Sequence, residues 1–215
     1  MGWSAYDIVE AVTSGLRRRA AALDEEQAVY GIDVLEELQL HPLIQQSLRD
    51  AGFGVWPEQP YPSDRKPHHR KPQSVKRCDV VLTPDDRPLM DPDAETTLFE
   101  PRDAVVMEAA FWLEIKTVSQ FTTEGPFARY SAELLSPVSH DIKKLAGDPL
   151  IFHAGLLLVL FTETRALAEH DLAAWLDRVI KRGYPVAPAV MEGFALNDRM
   201  GNGYATVALF TVRRL

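Results

Sequence analysis

Seven consecutive apolar residues, Gly155-Leu156-Leu157-Leu158-Val159-Leu160-Phe161, constrain this chain more than any other stretch. A run without polar alternation, far too short to cross a membrane, reads as a strand covered on both faces, and the usual cover for such a strand is helices. The sequence supplies them on either side. Leu134, Val138, Ile142 and Leu145 recur at helical spacing before the run, and Leu172, Leu176, Val179 and Ile180 do so after it. The pattern predicts an α/β protein built on a central mixed sheet with helices on both faces.

The remaining elements fit that frame. Ile8, Val9, Val12, Leu16 and Ala20 mark an amphipathic helix over residues 5–23, with Arg17, Arg18 and Arg19 as a solvated face. A second helical stretch runs over 25–51 to Gly52, interrupted by Pro42, where it kinks or a new helix begins. Its apolar stripe of Leu40, Ile44, Leu48 and Ala51, extended back one turn, reaches Glu37. Glu36 lies about 100° away, so Glu37 is the carboxylate expected to face the core; the plainer alternative is two exposed acids. Strands are predicted over 53–61 and 77–82, and on the second Asp79 and Val81 share a face opposite Cys78, Val80 and Leu82. A hairpin closes the chain, with 189–196 and 204–212 joined around Gly201-Asn202-Gly203. Early strands should pair as a meander, and the apolar run should return parallel to the strand before its helix through a right-handed crossover. The whole chain, 1–215, reads as a single domain.

Phe111-Trp112-Leu113-Glu114-Ile115-Lys116-Thr117-Val118 reads as a buried strand that carries two charges on one side. Period-two alternation puts Trp112, Glu114 and Lys116 on one face. A carboxylate and an ammonium on an apolar strand need partners, because burying either alone costs several kcal/mol, of order 3–5. A satisfied ion pair is one account; a metal site with an activating lysine is the other. Acid-x-lysine triplets occur at Asp64, Glu114 and Asp141, but the first lies in a proline-rich loop and the third on a helix, where i and i+2 diverge. Only Glu114-Ile115-Lys116 lies in a strand preceded by an aspartate-bearing strand.

Asp79, Glu114 and Lys116, in that order on adjacent strands, resemble the PD-(D/E)xK phosphodiesterase superfamily, with Cys78 standing where the eponymous motif has proline. The resemblance spans about residues 28–162. It implies a restriction-endonuclease-like core carrying an extra amino-terminal helix and a carboxy-terminal hairpin. It also implies a Mg²⁺ or Mn²⁺ site formed by Asp79, Glu114 and the helical Glu37, with Lys116 as the catalytic lysine. The activity implied is endonuclease-like hydrolysis of phosphodiester bonds, with DNA as the expected substrate in restriction, repair or defence. Many such nucleases act as pairs, so a homodimer joins the implied assemblies. A catalytically silent relative that binds nucleic acid or a protein is the alternative. Gln120 and Tyr130 are candidate accessories of the site.

Charge distribution bears on the substrate. The net charge of -8 argues against a surface built wholly for nucleic acid. Yet residues 63–77 form a basic loop with Arg65, Lys66, Arg70, Lys71, Lys76 and Arg77, leading straight into the Asp79 strand. Those six, with Lys143 and Lys144 on the later helix, are the candidate phosphate contacts. Residues 85–103 form an acidic inserted loop. No run reaches transmembrane length and the amino terminus lacks a signal-peptide layout, so the cytoplasm is the expected location, with no membrane partner. The single Cys78 excludes an internal disulfide and a cysteine zinc cage, and the histidines show no ligand spacing.

Overall fold

A computed structural model describes residues 2–64, 76–90 and 103–214, with the backbone alone at 135–139. The parts of the basic and acidic loops at 65–75 and 91–102 lie outside the described residues. Helix α1 (Ala5–Glu25) and helix α2 (Glu37–Asp50) come first, followed by β1 (Gly54–Pro60), β2 (Arg77–Thr83) and β3 (Phe111–Ser119). A short hairpin of β4 (Phe121–Thr122) and β5 (Gly125–Pro126) leads to α3 (Tyr130–Gly147), β6 (His153–Thr162) and α4 (Arg165–Lys181). Strands β7 (Val190–Ala195) and β8 (Tyr204–Val212) end the described chain.

Six strands form one mixed sheet in the order β1-β2-β3-β6-β8-β7. The meander and the return are as the sequence predicts: β1–β2 and β2–β3 are antiparallel, and β6 lies parallel to β3. The closing hairpin is more than an appendage. Strand β8 pairs along all of β6 and carries β7 outward, which encloses the apolar run between two neighbours. Alternate residues of that run feed two cores. Leu156, Leu158 and Leu160 pack with Ile142, Leu145, Leu172 and Trp175 beneath α3 and α4. Leu157, Val159 and Phe161 pack with Ile8, Val12, Leu40 and Ile44 beneath α1 and α2. Helices α1 and α2 approach closely: a Cβ at Gly15 would come within 1.7 Å of Ser47 Oγ, so only glycine fits there.

The stretch predicted as helical over 25–51, with a kink or a new start at Pro42, forms one continuous helix only from Glu37, and the break falls before it rather than at Pro42. Helix α1 stops at Glu25, Gln27 turns to a positive φ of 52°, and a short 3-10 turn at Ile32–Val34 follows. Helix α2 then starts afresh at Glu37, with Gln39 Oε1 accepting the Glu36 N–H at 2.9 Å. Pro42 therefore lies in the second turn, where the helix runs through it and only the Leu38 carbonyl loses its partner. No helix among the described residues is long and apolar enough to cross a membrane.

Candidate active site

The site forms where β2 leaves β3. Their pairing ends at Val80 opposite Leu113, and beyond it the amides of Ile115 and Thr117, of the same parity, have no strand to meet. Two carboxylates take them instead. Asp79 Oδ2 accepts the Ile115 N–H at 2.8 Å, and Glu37 Oε2, from the first turn of α2, accepts the Thr117 N–H at 3.2 Å. Unpaired buried amides cost about 1–3 kcal/mol each, so the break in the ladder itself draws these two acids to β3. The alternation expected on β2 slips at the same point: Cys78 is buried with Val81 under α3, while Val80 and Leu82 face the α1–α2 side.

Glu114 is almost fully buried and Lys116 half-buried, on the β3 face toward α3. Glu114 Oε1 accepts a 2.5 Å hydrogen bond from Tyr61 Oη and lies 3.5 Å from Lys144 Nζ. Lys116 Nζ donates to Glu37 Oε1 at 2.9 Å and lies 3.7 Å from Asp141 Oδ2. Asp141, buried on α3, holds Lys144 Nζ at 2.6 Å through its other oxygen. Five charged side chains from β3, α2 and α3, with Asp79 beside Glu114, thus share one centre.

The electrostatics follow from burial and crowding. Burial, then the charge and hydrogen-bonding contact of Asp79, raise the Glu114 carboxyl from 4.5 to about 8. Burial foremost pushes the Tyr61 phenol far above its ordinary range, so it stays protonated as a donor. For Lys116 burial pulls downward, but Glu37, Asp141 and Asp79 outweigh it and hold the amine above 10.5. Lys144 is raised in the same way by Asp141 and Glu114, against burial. Both lysines are therefore ammonium groups at neutral pH, suited to orient and stabilise negative charge.

Of the sequence candidates, Asp79, Glu114, Lys116 and Glu37 come together, and Glu36 stays exposed. Among the described residues no three His, Cys, Asp or Glu side chains gather in a metal-holding group, and Glu37 is occupied by Lys116 and the Thr117 amide. The adjacent pair Asp79 and Glu114 fits a hard divalent ion. Mg²⁺ is commonly held by one or two carboxylates, keeping waters and taking a phosphate oxygen.

Lys144, placed by the sequence among phosphate contacts, lies in the centre itself, whereas Lys143 is exposed with its Nζ 5.6 Å from the Tyr184 ring. Lys76, Lys143 and Lys144 line a small cleft of about 190 Å³ with Tyr61, Ser63 and the acidic Asp64 and Asp148. Arg77 is exposed and donates to the Glu58 carbonyl at 2.6 Å, while Arg65, Lys66, Arg70 and Lys71 lie outside the described residues. Gln120 and Tyr130 serve elsewhere: Gln120 Oε1 accepts the Glu163 N–H, and Tyr130 Oη donates to Asp171. Sequence reasoning misses Asp141 and Tyr61 as site residues. Asp141 has a signal, because with Leu134, Val138 and Leu145 it completes one helical stripe; Tyr61, just past a proline-broken strand, has none. No protein-family model, no curated protein and no solved structure matches the chain.

Proposed function

We propose that this chain is a divalent-metal-dependent nuclease that hydrolyses phosphodiester bonds, with DNA as its substrate, as the PD-(D/E)xK resemblance implies. The observation that carries the reading is the meeting of Asp79, Glu114, Lys116 and Glu37 at the point where β2 parts from β3. Asp79 and Glu114 are the residues that would hold the ion, which supplies a Lewis acid for the phosphate and a bound water of lowered pKa. Lys116, kept as an ammonium by Glu37, would orient the attacking water and offset charge developing on the phosphoryl oxygens. Tyr61 holds Glu114 in place and, with Lys144, closes its inner side. The test is incubation of purified protein with duplex DNA, single-stranded DNA and RNA in Mg²⁺, Mn²⁺ or chelator. Metal-dependent cleavage that disappears in Lys116→Ala, with the fold intact by circular dichroism, supports the reading; an undiminished variant removes the lysine from the mechanism.

A specific observation favours a second reading. Both lysines are engaged by carboxylates and no three-ligand group forms among the described residues, which suits a silent nuclease fold that binds nucleic acid without cutting. Such a protein would bind DNA with strong salt dependence and cleave it with no divalent ion.

A further inference from the structure

We propose that Asp141 is a positioning residue that holds Lys116 and Lys144 as a paired ammonium seat for one phosphate group, an inference that rests on the nuclease reading above. The two ammonium groups come from different elements, β3 and α3, and repel each other. Asp141 stands between them. Its Oδ1 lies 2.6 Å from Lys144 Nζ and its Oδ2 3.7 Å from Lys116 Nζ. Oδ2 is buried and makes no hydrogen bond among the described residues, so Lys116 is the cation it faces.

The exposures give the arrangement a direction. The Asp141 side chain is 5% exposed, while those of Lys116 and Lys144 keep 20% and 19%. The anchor is inside, while both lysine side chains keep part of their surface exposed. Lys144 also lines the cleft shared with Lys76 and Lys143, alongside Asp64 and Asp148, so one half of the pair faces that cleft. Phosphate suits it, because its non-bridging oxygens accept from separate point charges.

The experiment compares Asp141→Asn, Lys144→Met and the double variant with the unaltered protein on a DNA duplex with Mn²⁺. Each single change should lower kcat by about 10²-fold, the low end for a positioned catalytic group, with KM moving less. The double variant should be no worse than the weaker single, because residues acting as one unit are not additive. Full kcat in Asp141→Asn, or losses that multiply in the double variant, overturns the proposal. Pulse acetylation read by mass spectrometry gives a readout independent of cleavage: Lys116 and Lys144 should both label several-fold faster in Asp141→Asn, and unchanged labelling of either overturns the pairing. Should Asp141→Asn fail to fold, Asp141→Glu, which keeps the charge but moves it, takes its place with the same two readouts. Absence of cleavage by the unaltered protein with every metal defeats the nuclease reading, and the labelling then decides the pairing by itself.

Discussion

Asp79 does two jobs that substitution can separate. Its carboxylate caps the Ile115 amide and it sits against Glu114. Asp79→Asn keeps an acceptor for the amide and removes the charge, so it is expected to fold with nearly native stability and to lose metal-dependent cleavage. Asp79→Ala also orphans the amide, and urea unfolding should show a loss of about 1–3 kcal/mol; equal stability of the two variants would sink the capping role. Glu114 gives a pH signature. Its carboxyl is raised from 4.5 to about 8 in the folded chain, so between those values the folded state binds a proton that the unfolded state lacks. Its contribution to stability is full below pH 4.5 and is lost as pH rises through about 8. Melts in chelator should therefore show stability falling between pH 5 and 8 by a few kcal/mol, since each tenfold difference in proton affinity between the two states is worth about 1.4 kcal/mol. Glu114→Gln should flatten that fall, and Mg²⁺ should restore the loss in the unaltered protein only. Parallel pH profiles for the two proteins would refute the assignment.

At the scale of elements, the end of β3 is tied to the turn before α2 and to the β7–β8 loop by one side chain. Asn202 Nδ2 donates to Asp33 Oδ2 at 2.9 Å, Ser119 Oγ at 3.1 Å and the Phe121 carbonyl at 3.0 Å, and its Oδ1 accepts the Phe121 N–H. This junction fixes where α2 begins relative to β3, and hence where Glu37 meets Lys116. Asn202→Ala leaves the buried Asp33 without its donor, so a loss of about 1.5–3 kcal/mol is expected in thermal unfolding, with cleavage falling more than stability as Glu37 drifts. Unchanged stability would show the junction to be dispensable. None of this was legible in the sequence, where Asn202 reads as a turn residue and 25–36 as helix. The elements themselves were legible because burial imposes period: the two-sided Leu156–Phe161 run, the β3 alternation and the stripe ending at Glu37 all follow from which faces are covered. The slip at Asp79 and the cross-element contacts of Tyr61 and Asp141 depend on where β2 leaves β3, which no local pattern encodes.

Taken whole, the molecule carries a net charge of -8, yet Lys76, Lys143 and Lys144 outnumber Asp64 and Asp148 in the one cleft they share beside the centre. Local concentration of cations, rather than total charge, decides where a polyanion binds, because each phosphate contact releases condensed counterions and the remote acids are screened beyond about 8–10 Å at ordinary salt. Lys76 and Lys143 are exposed and lie outside the hydrogen-bonded centre, so their removal should touch affinity and leave the chemistry. Lys76→Ala and Lys143→Ala are each expected to weaken DNA binding about equally for every sequence and to lower the slope of log K against log salt by about one. The measurement is fluorescence anisotropy of a labelled duplex in Ca²⁺ over a salt series, with kcat taken separately at saturating DNA. A slope that stays fixed in both variants would move the binding face away from this cleft, and a fall in kcat would place the lysine within the reacting centre.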